Sequence, residues 1–503
     1  MTDGWKLIEL RGDQERRVDA AAHEARVQQL AGMLRAEGLV AGDRVCQMMD
    51  NCIEAIELRS ACTRLGVFCV PVNYHFTADE ARYIIDNSGA RAFFVTRDFA
   101  DVAAQAARDL TALGNRRFCA RGSHPEFRDY EEALAASSAH AEQAAVIAGT
   151  VLYTSGTTGR PKGVVREARP MKESLAGLEM FRDRFGLGPE PVHLVTGPLY
   201  HASPAAWSSV TMFLGGKLVI QAKFDAEEVL RATEKYRVTN MHLVPTMMHR
   251  LLALPDEVKR RYDLSSLNSV QHGAAPCPPA TKKAMLDWWG PIIGEYYGST
   301  EAGIVTYITA DEARERPTSV GRPVQNVQIK IFDDDGNELP PGGVGTIYVK
   351  TDASDSFEYH GDPDKLAAAK RAGFFTNGDV GRLDEQGYLY LMDRKADMII
   401  SGGVNIYPAE VEAVLHEHPD VADCAVFGIP DDEWGERVHA VVQLEPNAGV
   451  GEGELLVYAR ERLARYKVPR RIEFLPVLPR QPNGKIYKRK LREPYWQGRD
   501  KAI

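Results

Sequence analysis

The chain has 503 residues, too many for a single hydrophobic core, so two or more domains are expected. Its composition, 44% hydrophobic and 26% charged, is that of a soluble globular protein, and no apolar run nears the ~18 residues a membrane helix needs. Lys and Arg number 61 against 70 Asp and Glu; this formal charge of -9 disfavours nonspecific nucleic-acid binding and requires any polyanion site to be locally basic.

In chain order, Met1 to Lys6 lacks the basic and apolar regions of a secretory signal. Residues 14–37 are rich in Ala, Arg, Glu and Leu, with Val18, Ala22, Val27, Leu30 and Leu34 at helical spacing and Gly38 as a stop, which predicts one amphipathic helix. A strand over 44–49, a helix over 52–65 and a strand over 67–72 follow. Thr77-Ala78-Asp79-Glu80 is a capping box that opens a helix ending near Gly89. A strand over 90–96, a helix over 100–113 and a strand over 117–120 complete an alternation that predicts a parallel α/β sheet covered on both faces. The seven cysteines, Cys46, Cys52, Cys62, Cys69, Cys119, Cys277 and Cys424, are odd in number and lack a CxxC pair. They argue against a disulfide framework and a structural zinc, and a reducing cytoplasm is expected.

Thr154 to Gly163 holds three glycines, four hydroxyl side chains, Arg160 and Lys162, a bendable backbone dense in donors for phosphate oxygens. Flanking strands make it a loop. It is not a Walker loop, because Lys162 follows Arg-Pro and precedes glycine; a flexible surface turn is the competing reading. A helix over 171–185 and a strand over 193–195 lead into Gly197-Pro198-Leu199-Tyr200-His201. Asp225 caps a helix ending near Tyr236, a strand over 240–244 and a helix over 247–254 follow, and Ser269 to Pro276 places Gly273, Ala274 and Ala275 at a strand end.

In Gly294 to Glu301, Tyr297 offers an aromatic face for a purine, Gly298 admits a ligand against the backbone, Thr300 brings a hydroxyl and Glu301 a hard oxygen suited to Mg²⁺. Residues 320–350 alternate like strands, broken by Asp333-Asp334-Asp335-Gly336 and Pro340-Pro341-Gly342-Gly343, which predicts hairpins in a small β subdomain and a solvated acidic turn. Asp379 closes Phe374 to Asp379, either as a turn former or as the bidentate acceptor of two ribose hydroxyls. Residues 393–403 separate this region from a tail of about 110 residues, with helices over 408–417 and 453–464 and strands over 421–427 and 438–444. Near its end, Pro482-Asn483-Gly484 presents Lys485 at a loop tip.

TSGTTGRPKGV, YYGSTE, TNGD, DRKADMIISGG and PNGKI stand here in the order of the adenylate-forming superfamily, which contains acyl-CoA and aryl-CoA ligases, and the chain resembles that family along nearly its whole length. The resemblance implies a large α/β amino-terminal domain over 1–393, including the β subdomain, and a mobile α+β lid over 394–503 hinged near 393–397. It implies an ATP-dependent acyl-CoA ligase using Mg²⁺ and CoA, acting on a carboxylic acid as a monomer or homodimer.

Carried over position by position, Thr154, Ser155, Gly156, Thr157, Thr158, Gly159 and Lys162 hold phosphates. Gly273, Ala274, Ala275 and Pro276 flank adenine and the substrate carboxylate, Tyr297 stacks on adenine, Thr300 meets the α-phosphate and Glu301 the metal, and Asp379 and Arg394 lie at the ribose. Lys485 is the mobile catalytic lysine, and Ser401, Gly402 and Gly403 complete a pantetheine tunnel. His201, Trp207, His272 and Gly298 border the acid. The family's charged pivot residue is replaced by Ala396, which leaves open a chain confined mainly to thioester formation. Two rival functions fit the same motifs: acylation of a carrier-protein thiol, and non-catalytic regulation by nucleotide binding. The presence of Lys485 and Glu301 speaks against the second.

Overall fold

The structure is a computed structural model that describes residues 4–154, 161–394, 397–402, 404–446, 448–480 and 486–497. The chain forms two compact units, one of residues 1–243, 253–272 and 355–368, the other of residues 244–252, 273–354 and 369–503.

The first unit is built on two parallel sheets. In one, strands Ser269–His272, Asn240–Leu243, Val192–Val195, Lys217–Gln221 and Trp5–Arg11 lie side by side and parallel. In the other, Phe68–Pro71, Arg44–Met48, Ala92–Thr96, Arg117–Ala120 and Arg128–Asp129 do the same. The apolar strand runs at 92–96 and 117–120 are buried almost throughout, as a sheet covered on both faces demands. Helices Ala20–Ala36 and Ile53–Leu65 bury Leu30, Leu34, Ile53 and Leu58 in a core shared with Val45, Phe94 and Phe118. Each such side chain contributes about 1.5–3 kcal/mol by leaving water. The expected capping box is formed: Thr77 Oγ1 accepts from Glu80 N, and the Glu80 carboxylate accepts from Thr77 N at 2.8 Å.

The single helix expected over 14–37 is a strand and a helix. Gln14–Asp19 pairs antiparallel with Trp5–Arg11, and the helix starts at Ala20, with Asp19 accepting from Ala22 N at 2.8 Å. The helix expected over 100–113 stops at Ala107.

The second unit is mostly antiparallel. Ile293–Ser299, Gly303–Ile308 and Arg322–Pro323 form one run of strands. A six-stranded sheet joins Gln328–Phe332, Gly345–Lys350, Asp379–Leu383 and Leu389–Arg394 with two short strands, and the acidic run 333–335 turns between the first two. Further on, Val421–Asp431 and Gly435–Leu444 make a long hairpin, with Arg471–Phe474 parallel beside the latter. Helices Pro408–His416 and Glu452–Arg462 bury Val411, Leu415, Leu455 and Ala459 against it. The fold is the expected mixed α/β architecture with a large amino-terminal and a smaller carboxyl-terminal domain. Among the described residues, no helix is long and apolar enough to cross a membrane.

Candidate active site

In the first unit the two segments on either side of the glycine-rich stretch are strands. Leu152–Thr154 and Lys162–Arg166 pair antiparallel with Thr154 opposite Lys162, and Lys162–Arg166 pairs on its other side with Phe357–Tyr359. Ser155, Gly156, Thr157, Thr158 and Gly159 lie outside the described residues. Lys162 Nζ meets the carboxylate of Asp362, whose other oxygen accepts from Lys365 N at 3.1 Å and so caps the helix Pro363–Ala368. The bond from Lys162, then that from Lys365, holds the Asp362 carboxyl below its ordinary range. Asp362 is not among the expected site residues; its one mark in the sequence is the Asp-Pro pair, a helix-start signal.

His201 and His272 both follow carboxyl ends of parallel strands. His201 lies beyond Val192–Val195 at the start of the helix Ala202–Phe213, and His272 closes Ser269–His272. That edge of an open parallel sheet is where ligands are received. The His201 ring packs on Tyr200 at 4.4 Å, and Tyr200 meets Tyr74 edge to face at 5.0 Å. Trp207 is buried among Phe181 at 4.8 Å, Phe185 at 5.2 Å and, with its plane nearly parallel, His242 at 6.3 Å. His193, His242 and His272 form a buried row across three neighbouring strands. Burial, and secondarily the next imidazole, lowers His193 and His242 to about 3, so both are neutral. Neither is an expected site residue, because a lone histidine in a short apolar strand carries no local mark.

In the second unit, Gly273 to Cys277 leads into the helix Pro279–Trp289. A Cβ at Gly273 would stand 2.7 Å from Tyr296 O, and Ala274 has φ +66°, a left-handed conformation that costs an L residue roughly 1–2 kcal/mol. Gly298 belongs to the hairpin Ile293–Ser299 and Gly303–Ile308, where a Cβ would lie 2.1 Å from Gly303 O. The Tyr297 hydroxyl donates to Asp379 Oδ2 at 2.6 Å, joining residues 82 apart in sequence. Asp379 stands opposite Arg394 in the strand pair Asp379–Leu383 and Leu389–Arg394. Tyr297, Asp379 and the Arg394 backbone are thus brought together; the Arg394 side chain is outside the described residues.

Thr300 is partly exposed at the hairpin turn and Glu301 is buried beside it. Among the described residues, no group of three or more His, Cys, Asp or Glu could hold a metal by itself. One hard carboxylate fits Mg²⁺ that takes its remaining ligands from substrate phosphates and water.

Ser401 pairs with Gly435, and Gly402 N donates to Trp434 O at 2.8 Å. Gly402 has φ +59°, and a Cβ there would lie 2.4 Å from the Trp434 ring. Pro276 precedes Cys277 on the way into its helix. Gly403, Ala396 and Lys485 lie outside the described residues. The flanks of Lys485 are anchored: Arg480 pairs with Asp423, Tyr487 N donates to Pro479 O at 2.7 Å, and Lys488 Nζ meets Glu412 at 2.7 Å. Burial would raise Asp423, but His416 and Arg480 hold it below the usual carboxylate range.

The AMP-binding enzyme family matches residues 6–354, and the AMP-binding enzyme C-terminal domain matches residues 410–485. A fatty acid–[acyl-carrier-protein] ligase of Streptomyces coeruleorubidus is 33% identical over 481 residues, covering 93% of this chain and 89% of that protein. Feruloyl-CoA synthase of an Amycolatopsis species is 36% identical over 474 residues, covering 93% and 92%. Among solved structures, ATP-bound MatB from Rhodopseudomonas palustris aligns with a TM-score of 0.84 at 31% identity, over 98% of this chain and 97% of that one.

Proposed function

The chain belongs to the adenylate-forming superfamily as an AMP-forming acid–CoA ligase, and on that premise we propose that it activates an apolar or aromatic carboxylic acid and runs both half-reactions itself. The carboxylate attacks the α-phosphorus of ATP and pyrophosphate leaves; the thiol of CoA then attacks the acyl carbon and AMP leaves.

The observation that carries the reading is the Tyr297–Asp379 bond of 2.6 Å, with Arg394 opposite Asp379. A flat aromatic ring beside a carboxylate suits a purine and its ribose hydroxyls. In the first step two anions must meet, so positioning and charge neutralisation supply most of the acceleration. Lys162 and the hydroxyls of the loop hold the β- and γ-phosphates, and Lys162 exchanges Asp362 for them. Thr300 orients the α-phosphate, and Lys485 neutralises charge as it develops. Mg²⁺, when bound at Glu301, supplies further charge neutralisation on the phosphates. The strained Gly273 to Pro276 turn gives backbone contact on the side of the acid, and Gly298 leaves room for it. In the second step a lid over 394–503, pivoting near 393–397, presents Ser401, Gly402 and Gly403 to pantetheine.

The acid's class is supported by the aromatic surroundings of Trp207, which packs among Phe181, Phe185 and His242 near the strand ends that carry His201 and His272. A second reading changes only the acceptor, to the phosphopantetheine of a carrier protein, as the name of the Streptomyces coeruleorubidus relative states for that protein.

The test is carboxylate-dependent ATP–pyrophosphate exchange without CoA, over fatty, aromatic and polycyclic acids, followed by thioester formation with CoA or a carrier protein. Exchange with one class and a CoA thioester are expected. Silence across the panel, with thioester made from preformed adenylates, would restrict the chain to the second half-reaction.

A further inference from the structure

Lys282 is a charged residue where charge is rare. It lies on the helix Pro279–Trp289 with its side chain 3% exposed, and its ammonium faces Glu295, 5% exposed, at 2.5 Å. The same nitrogen donates to Pro317 O at 2.9 Å and to Ser319 O at 3.4 Å. The three oxygens about this ammonium all come from outside its own helix. Burial pushes the Glu295 carboxyl up, and Lys282 opposes that rise. Burial pushes the Cys277 thiol, at the end of the Gly273 to Pro276 turn, above its ordinary range; Glu295 adds to the rise and Lys282 opposes it.

Glu295 lies on a strand that carries part of the proposed adenosine site, and Pro317 and Ser319 lie in a stretch bonded to two others that bear on it. Glu295 is two residues before Tyr297 on the strand Ile293–Ser299. Ser319 Oγ donates to Leu389 O at 2.9 Å, and Leu389 begins the strand that pairs with Asp379–Leu383. Val320 O accepts from Thr306 Oγ1 at 2.6 Å, and Thr306 stands opposite Tyr297 in the hairpin. The helix that bears Lys282 starts at Pro279, with Cys277 and Pro278 between it and the Gly273 to Pro276 turn.

We infer that Lys282, paired with Glu295, is a positioning residue for ATP: it fixes the turn at 273–276, the strand of Tyr297 and the strand pair of Asp379 in one register. The inference rests on the reading of these segments as the adenosine site. A buried ion pair adds little stability over apolar side chains of similar volume, whereas loss of one partner is costly. What the pair adds over apolar packing is direction, because a methionine in its place can fill the volume but cannot hold two carbonyls and a carboxylate at set angles.

The test compares the wild-type enzyme with K282M, K282R and the double variant K282M/E295M. ATP affinity is measured by equilibrium dialysis with Mg²⁺, ATP KM by pyrophosphate exchange, CoA KM with presented acyl adenylate, and stability by thermal midpoint. K282M is expected to weaken ATP binding at least tenfold while CoA KM stays within twofold. The double variant is expected to regain the wild-type midpoint without regaining ATP affinity, and K282R to fall between wild type and K282M. Wild-type ATP affinity in the double variant would reduce the pair to a structural role and overturn the inference. Should the double variant not accumulate as folded protein, K282R decides: unchanged ATP affinity there overturns it. Absence of ATP binding by the wild-type enzyme would instead overturn the functional reading, and this inference with it.

Discussion

Acidification from about pH 7.5 to about pH 5 is expected to remove stability through the buried histidine row. His193 and His242 are held near 3 in the folded chain, against an ordinary value of 6.5. The folded state therefore binds fewer protons than the unfolded one. The stabilisation is complete above about pH 6.5 and is lost as the pH falls through that value toward 3. At pH 5 protonation favours the unfolded chain by roughly 2 kcal/mol per histidine, and this holds wherever the folded value lies below about 4. His23, lowered to about 4 first by burial and then by Lys6, adds a similar amount. The assay is urea unfolding followed by tryptophan fluorescence at both pH values, for wild type and for H193Q and H242Q. Carboxylates common to all three proteins cancel in the difference. Each variant is expected to lose about 2 kcal/mol less than wild type on acidification. Equal losses in wild type and H242Q would refute the assignment of a neutral buried imidazole beside Trp207.

Three further outcomes follow from the site. Y297F removes the donor to Asp379 and leaves the carboxylate without that partner; ATP KM in pyrophosphate exchange should rise about tenfold with CoA KM unchanged, in line with the worth of a hydrogen bond to a charged acceptor. An unaltered ATP KM would remove the pair from the nucleotide site. G402A forces a Cβ into the Trp434 ring at a left-handed φ and should slow thioester formation from presented adenylate at least tenfold, with exchange held within twofold; equal loss in both steps would deny Gly402 a role specific to CoA. K485A should depress pyrophosphate exchange at least a hundredfold and spare thioester formation from the adenylate, and loss of both alike would remove Lys485 from the first step.

Much of the fold is legible in the sequence wherever a local rule acts alone. The capping box at Thr77, the buried apolar runs at 92–96 and 117–120 and the helix Met171–Phe185 each follow from a short stretch of chain. Residues 14–19 show where that fails. Gln-Glu-Arg-Arg-Val-Asp has helix-forming side chains, yet its backbone groups pair with Trp5–Arg11, and a partner strand outweighs the small differences in local propensity. The strand Arg471–Phe474 escapes a local reading for a related reason: only its parallel neighbour, Gly435–Leu444, makes it a strand.

The site divides along the same line. Tyr297, Asp379, Gly273 and Gly298 can be named from sequence because each stands in a short motif of fixed spacing, which on the proposed function a ligand sets. What holds those motifs against one another is tertiary. Lys282, Glu295, Asp362 and the histidine row carry no spacing rule, since their partners arrive from other segments, and hydropathy alone would put Lys282 and Glu295 at the surface. A buried charge is tolerated only with its partner in place, so the Lys282–Glu295 pair reports a contact that the fold must make. The groups proposed to meet the ligands are accordingly readable one motif at a time. Their supports become visible only when Lys282 is seen to share Glu295 with the strand of Tyr297, and that dependence is why a change at 282 should be felt at ATP and not at CoA.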